Sequence, residues 1–157
     1  MTDNKPHRVH IGLGANVGDR TGTIEQALVE IGRLPGTRVA KASSIRETPP
    51  MGGPPQPDYL NSAALVETEL EPIELLTEVK SIERSLGRRP GERWGPRSID
   101  IDLLTFDDRV IDTEELTVPH PRMAQRGFVL EPLAEIDPDG RHPTEGKTFA
   151  ELLKELD

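Results

Sequence analysis

Ser98-Ile99-Asp100-Ile101-Asp102-Leu103-Leu104-Thr105-Phe106 (SIDIDLLTF) alternates apolar and polar side chains over its first six positions. A period of two belongs to a strand, whose successive side chains point to opposite faces. Ile99, Ile101 and Leu103 therefore share one face, and Asp100 and Asp102 share the other.

What precedes this strand sets the fold. Residues 88–97 (RRPGERWGPR) are irregular, and before them Leu75, Leu76, Val79, Ile82 and Leu86 recur at helical spacing. Pro72 suits the first turn of that helix, and Gly87 ends it. Tyr59 to Leu70 reads as a strand. Upstream of it, the nine residues Pro49 to Pro57 (PPMGGPPQP) dictate a loop. Thr37 to Thr48 is rich in β-branched residues with no breaker and reads as another strand. Ile24, Leu28 and Ile31 mark an earlier helix, introduced by Gly18, Asp19 and Thr21 and closed near Leu34-Pro35-Gly36. Arg8 to Gly14 (RVHIGLG) is the first strand. The order β-α-β-β-α-β is the split βαβ arrangement, which predicts an α+β, ferredoxin-like fold: an antiparallel sheet with its helices on one face. Beyond Phe106 the pattern weakens. Asp107-Asp108 predicts a turn, Arg109 to Ile111 a short edge strand, and Ala150 to Leu156 a closing helix. One domain is expected across residues 1–157.

Composition narrows the function. The net charge is −9, which argues against a nucleic-acid binder or an anionic membrane surface. The absence of cysteine excludes thiolate catalysis and cysteine-ligated metals. No apolar run approaches the ~20 residues of a membrane span. The opening MTDNKPHRVH has no apolar signal region, so a cytoplasmic protein is expected.

Two carboxylates at i and i+2 on one strand face stand side by side and repel unless a cation lies between them. Mg²⁺ takes oxygen ligands from one or two carboxylates plus phosphates, so Asp100 and Asp102 are candidate metal ligands. A solvated acidic face has the same spacing. Just upstream, Arg88, Arg89, Arg93 and Arg97 stand out in an acidic chain, and arginine's rigid fork matches phosphate oxygens. Trp94, the only tryptophan, lies among them. Together these features predict a metal–polyphosphate site. Gly12, Gly14 and Gly18 do not form a dinucleotide fingerprint, because position 17 is Val17 and the parallel crossover is missing. Gly14 to Gly18 reads instead as a tight turn. No G-x-x-x-x-G-K-[ST] loop occurs.

Read together, GLGANVG, ETPP with QPDYLN, RWGPRSIDIDLL, and VPHP with RGFVLEPL resemble the 6-hydroxymethyl-7,8-dihydropterin pyrophosphokinases, in register from about residue 9 to 135. The resemblance implies pyrophosphate transfer from ATP to the pterin hydroxymethyl oxygen in folate biosynthesis, with release of AMP. It implies two Mg²⁺ ions on Asp100 and Asp102, with Arg88 and Arg97 as further catalytic groups. It places Thr48, Pro50 and Met51 in the pterin pocket, Tyr59 and Phe128 on the ring faces, and Asn61 at the ring edge. Around ATP it places Glu83, Arg88, Trp94, Arg97, Leu103, Thr117, His120 and Arg126. Loops 49–57 and 88–97 are expected to close over the site. Ala15 stands where the family more often has serine, and Pro121 where some members have tyrosine. A monomer with small-molecule partners is expected, with no nucleic acid and no membrane. Two readings compete: a D-x-D nucleotidyltransferase, disfavoured by the charge, and a non-catalytic ligand sensor, disfavoured by the intact aspartate pair and arginine cluster.

Overall fold

Val9, Ile11, Leu13 and Ala15 stand at every second position and are all buried, which makes His7–Ala15 a strand (β1) with one face committed to a core. The structure, a computed structural model, describes residues 5–15, 19–48, 58–87 and 99–156. Asp19 caps helix α1 (Arg20–Gly32) by accepting the Gly22 N–H at 3.0 Å. The helix stops before Pro35, and Gly36 turns the chain with a positive φ of 59°.

The strand expected over residues 37–48 is broken into β2 (Thr37–Ala42) and β3 (Arg46–Thr48). Ser43 is the cause. Its hydroxyl accepts the Ala63 N–H at 2.9 Å, taking a place that a ladder carbonyl would otherwise fill. Strand β4 (Tyr59–Thr68) and helix α2 (Pro72–Gly87) follow as expected, and β5 covers Asp100–Phe106. Among the described residues five strands form one antiparallel sheet in the order β2-β4-β1-β5, with β3 also on β4. This is the ferredoxin-like arrangement.

The two helices of the β-α-β-β-α-β core lie on one face as expected, and the C-terminal extension adds a second helical layer. Ile24, Ala27 and Ile31 of α1 and Leu75, Val79 and Ile82 of α2 cover one face of the sheet. The other face is covered too, by helix α3 (Gly127–Ile136) and helix α4 (Phe149–Glu155), through Leu130, Leu133, Ile136, Phe149 and Leu152 on Ala63, Leu65 and Leu104. Helix α3 escaped the sequence reading because Pro132 lies inside it, where proline ordinarily breaks a helix. The signal for a second layer was the run Ala63-Ala64-Leu65-Val66, buried on both faces. The edge strand expected at Arg109 to Ile111 is also corrected. Ile111–Asp112 (β6) pairs with Thr117–Val118 (β7) in a separate ribbon, closed by the Thr113 N–H on the Leu116 carbonyl at 2.9 Å. No helix among the described residues is long and apolar enough to cross a membrane.

His7 ties three elements together. Its ring nitrogens lie 2.7 Å from Asp107 Oδ2 and 2.8 Å from Glu71 Oε2, and the ring tilts on Phe106. Burial pulls its pKa down, but the two carboxylates outweigh that and the folded value is raised. The stabilisation is therefore full below the unfolded value of about 6.5 and is lost as pH rises through the folded value. The urea midpoint of the wild type should fall more steeply above about pH 6.5 than that of His7→Gln. Parallel pH profiles for the two proteins would contradict this.

Candidate active site

The antiparallel register lines up two rows across the sheet. Arg46, Asn61, Gly14 and Asp100 are neighbours in one, and Ala63, Gly12 and Asp102 in the next. Side chains at these positions rise on the α3 face. Because glycine has none, β1 forms the floor of a trough between the Asn61 side and the Asp100–Asp102 side. Helix α3 roofs one end of it, with Phe128 and Val129 in its first turn and Arg126 just before. The result is a cavity of about 320 Å³.

Seven of the residues named from sequence meet there: Thr48, Tyr59, Asn61, Asp100, Asp102, Arg126 and Phe128. Asn61 is buried and donates through Nδ2 to the Thr48 hydroxyl at 2.5 Å. Its Oδ1 lies over Gly14, 3.3 Å from where a Cβ would stand. The Arg126 guanidinium sits over the Phe128 ring at 5.5 Å, in cation–π range. Asp100 is half-buried and Asp102 exposed, while Ile101 between them is fully buried in the opposite core, as the alternation requires.

Four other named residues do not line the cavity. Leu103 buries its side chain in the α1–α2 core, so only its main chain is left to meet a ligand. Strand β5 is bulged at Leu104, since Ile11 pairs with Leu103 and His10 with Thr105. Leu104 faces the cavity by the same alternation as Asp100 and Asp102; the bulge keeps Thr105 on that face, bonded to His10, and returns Phe106 to the α1–α2 core. The Leu104 carbonyl, at the bulge, accepts the His120 N–H at 2.8 Å, which brings the segment after β7 against β5. His120 is half-buried. Burial holds its pKa below the ordinary histidine value, with the Asp102 charge opposing and Arg126 and Arg122 reinforcing. Thr117 is exposed on β7. Glu83 was expected near ATP. Its carboxylate accepts the Ile101 N–H at 2.6 Å and pairs with Lys80 at 3.1 Å. Pro50, Met51, Arg88, Trp94 and Arg97 lie outside the described residues, as do loops 49–57 and 88–97.

The sequence reading missed the floor. Gly12 and Gly14 line the cavity from within β1, so Gly14 does not begin a turn; residues 16–18 are outside the described set. Two glycines at i and i+2 on a polar-facing strand face were the available signal. Leu104 and Val129 also line the cavity.

The family model for 7,8-dihydro-6-hydroxymethylpterin-pyrophosphokinase (HPPK) matches residues 10–138. The chain is 48% identical over 127 residues to the 2-amino-4-hydroxy-6-hydroxymethyldihydropteridine pyrophosphokinase of Bacillus subtilis, covering 81% of this chain and 76% of that one. The enzyme of the same name from Methylorubrum extorquens is 43% identical over 150 residues, covering 96% and 94%. Among solved structures, a Plasmodium falciparum HPPK-DHPS triple mutant superposes with a TM-score of 0.78 at 17% identity. That match covers 98% of this chain but 44% of the other, so this chain spans less than half of that protein, and the likeness concerns the fold alone. The matched region runs from β1 to just past α3 and so contains every described wall of the cavity; on that match and these identities, the chain belongs to the 7,8-dihydro-6-hydroxymethylpterin-pyrophosphokinase family.

Proposed function

We infer that this chain transfers the terminal pyrophosphoryl group of ATP to the hydroxymethyl oxygen of 6-hydroxymethyl-7,8-dihydropterin, in folate biosynthesis, and releases AMP. Membership of the family supports the activity. The observation that carries the site is one cavity with an amide at one side and a carboxylate pair at the other, on the two strands that flank a glycine floor.

Asn61 offers both donor and acceptor to the edge of a pterin, and the Thr48 hydroxyl holds its amide in place. Tyr59 and Phe128 are the aromatic walls on which a flat heterocycle stacks. Pro50 and Met51 complete the pterin pocket by resemblance. At the other side, Asp100 and Asp102 give only oxygen donors, on one face and open to the cavity, which fits Mg²⁺. They would hold the two Mg²⁺ ions. When bound, these supply charge neutralisation to the phosphate oxygens and acidify the attacking hydroxyl. Arg126 adds positive charge at the cavity, and Arg88 and Arg97 are assigned by resemblance to charge developing on the phosphates. His120, Thr117, Trp94 and the Leu103 main chain are assigned to the nucleotide. The neutral imidazole favoured by burial makes His120 a hydrogen-bonding group and not a second cation.

In the reaction the hydroxymethyl oxygen forms a bond to the β-phosphorus, and the bond from that phosphorus to the α–β bridging oxygen breaks. The bridging oxygen leaves on AMP and the hydroxyl proton goes to solvent. Catalysis rests on positioning and electrostatics. Mixing protein, Mg-ATP and the dihydropterin alcohol and separating the nucleotides should yield AMP in equal amount to the pterin pyrophosphate, and no ADP. ADP as product, or no turnover, would overturn the assignment.

A further inference from the structure

Strand β5 closes one side of the sheet beyond β1, so alternate main-chain groups along it point away from the ladder. Ile101 is one of the outward residues, and it stands between the two aspartates. Its N–H is accepted by Glu83 Oε2 at 2.6 Å, and its carbonyl receives Lys80 Nζ at 3.4 Å. Lys80 and Glu83 are one turn apart on α2 and pair at 3.1 Å, so one ion pair grips both polar groups of one residue. The Glu83 side chain is only 10% exposed, while that of Lys80 is 39% exposed. The carboxylate, largely withdrawn from water, spends its oxygens on charge-assisted contacts to Lys80 and the Ile101 amide.

We propose that Lys80 and Glu83 are positioning residues for the carboxylate pair. By fixing the peptide groups on either side of Ile101, they set the directions in which Asp100 and Asp102 leave the strand. Two like charges at i and i+2 repel, and a strand whose ladder partner among the described residues is β1 alone can twist to part them. The clamp on the open side removes that freedom. Glu83 thus serves the metal through the backbone, and Lys80 gains a role that spacing alone does not reveal. Outer groups that orient metal ligands in this way are worth about 10–100-fold in metal affinity.

The inference rests on Asp100 and Asp102 being the metal ligands, so the test carries a control for that. Mn²⁺ affinity is measured by electron paramagnetic resonance in the complex with α,β-methylene-ATP, and amide exchange of Ile101 is followed in the ligand-free protein. Glu83→Ala should weaken Mn²⁺ about 10–100-fold and speed Ile101 exchange, with KM for the pterin unchanged. Lys80→Met, at a partly exposed site that does not threaten folding, should shift both in the same direction by less. Glu83→Gln keeps an acceptor for the amide and should recover most of the exchange protection. If Glu83→Ala does not fold, the Lys80→Met and Glu83→Gln pair decides. Mn²⁺ affinity within about twofold of wild type in Glu83→Ala, or in Lys80→Met with Glu83→Gln no different from it where Glu83→Ala does not fold, overturns the inference, all the more if metal-free nucleotide affinity falls instead. Asp102→Asn is the control: unchanged Mn²⁺ affinity there sinks the ligand assignment itself, whereas its loss beside a normal Glu83→Ala sinks only the clamp.

Discussion

Asp102→Asn should lower the rate of AMP formation by about 10³-fold or more, a loss of about 4 kcal/mol of transition-state stabilisation. The change is isosteric and removes one charge. Asp102 is exposed on the cavity side of β5, while its neighbours Ile101 and Leu103 are anchored in the opposite core. Nothing apolar is disturbed, and removing one of two adjacent like charges relieves repulsion. Thermal stability should therefore hold or rise. Binding of the pterin, which we assign to the Asn61 side of the trough, should stay within about threefold, far less than the ~1.4 kcal/mol that a tenfold change represents. The decisive measurement is a single-turnover rate with saturating ATP and pterin, beside pterin binding by fluorescence. A rate within tenfold of wild type would remove the carboxylate pair from the chemistry.

The framework of this fold was legible because its strands and its first two helices announce themselves by period. Val9, Ile11 and Leu13 alternate, and Leu75, Val79 and Ile82 repeat at helical spacing; all are buried. The aspartate pair was legible for the same reason, since strand alternation alone puts Asp100 and Asp102 on one face. What was hidden depended on contacts that no local pattern encodes. Helix α3, which carries Phe128 to the cavity, holds a proline mid-helix and is secured from outside, through Glu135 on Ser44 and Arg46. The bulge at Leu104 exists only in the pairing of β5 with β1. Glu83 was named near ATP by resemblance, but its bond to the Ile101 N–H comes only from the packing of α2 beside β5. Asn61 and Thr48 were named by resemblance, but their mutual hydrogen bond comes from the pairing of β3 with β4. Local sequence thus specified the strands, while the shape of the cavity came from register.

That dependence on register makes the floor of the trough as sensitive as its walls. Gly14→Val should leave the protein folded yet raise KM for the pterin by about 100-fold, near 2.7 kcal/mol. Gly14 is a strand residue without a positive φ, so a β-branched residue suits the backbone. Its side chain, however, would rise between Asn61 and Asp100. Even a Cβ stands 3.3 Å from Asn61 Oδ1, and the two methyls beyond it must displace that amide from Thr48 or occupy the space of the ligand. Overpacking of this kind costs about 1–3 kcal/mol where the neighbours cannot yield. Here the cost falls on an open cavity, so binding suffers and not folding. Gly14→Ala is the graded control: Asn61 needs to give by only a few tenths of an ångström, and a rise in KM of under tenfold is expected. The discriminating result is the pair of readouts, a melting temperature near wild type with pterin affinity lost. A Gly14→Val protein that binds the pterin normally would mean that the ring does not lie on this floor. The ring-stacking role of Tyr59 and Phe128 would then have to be abandoned with it.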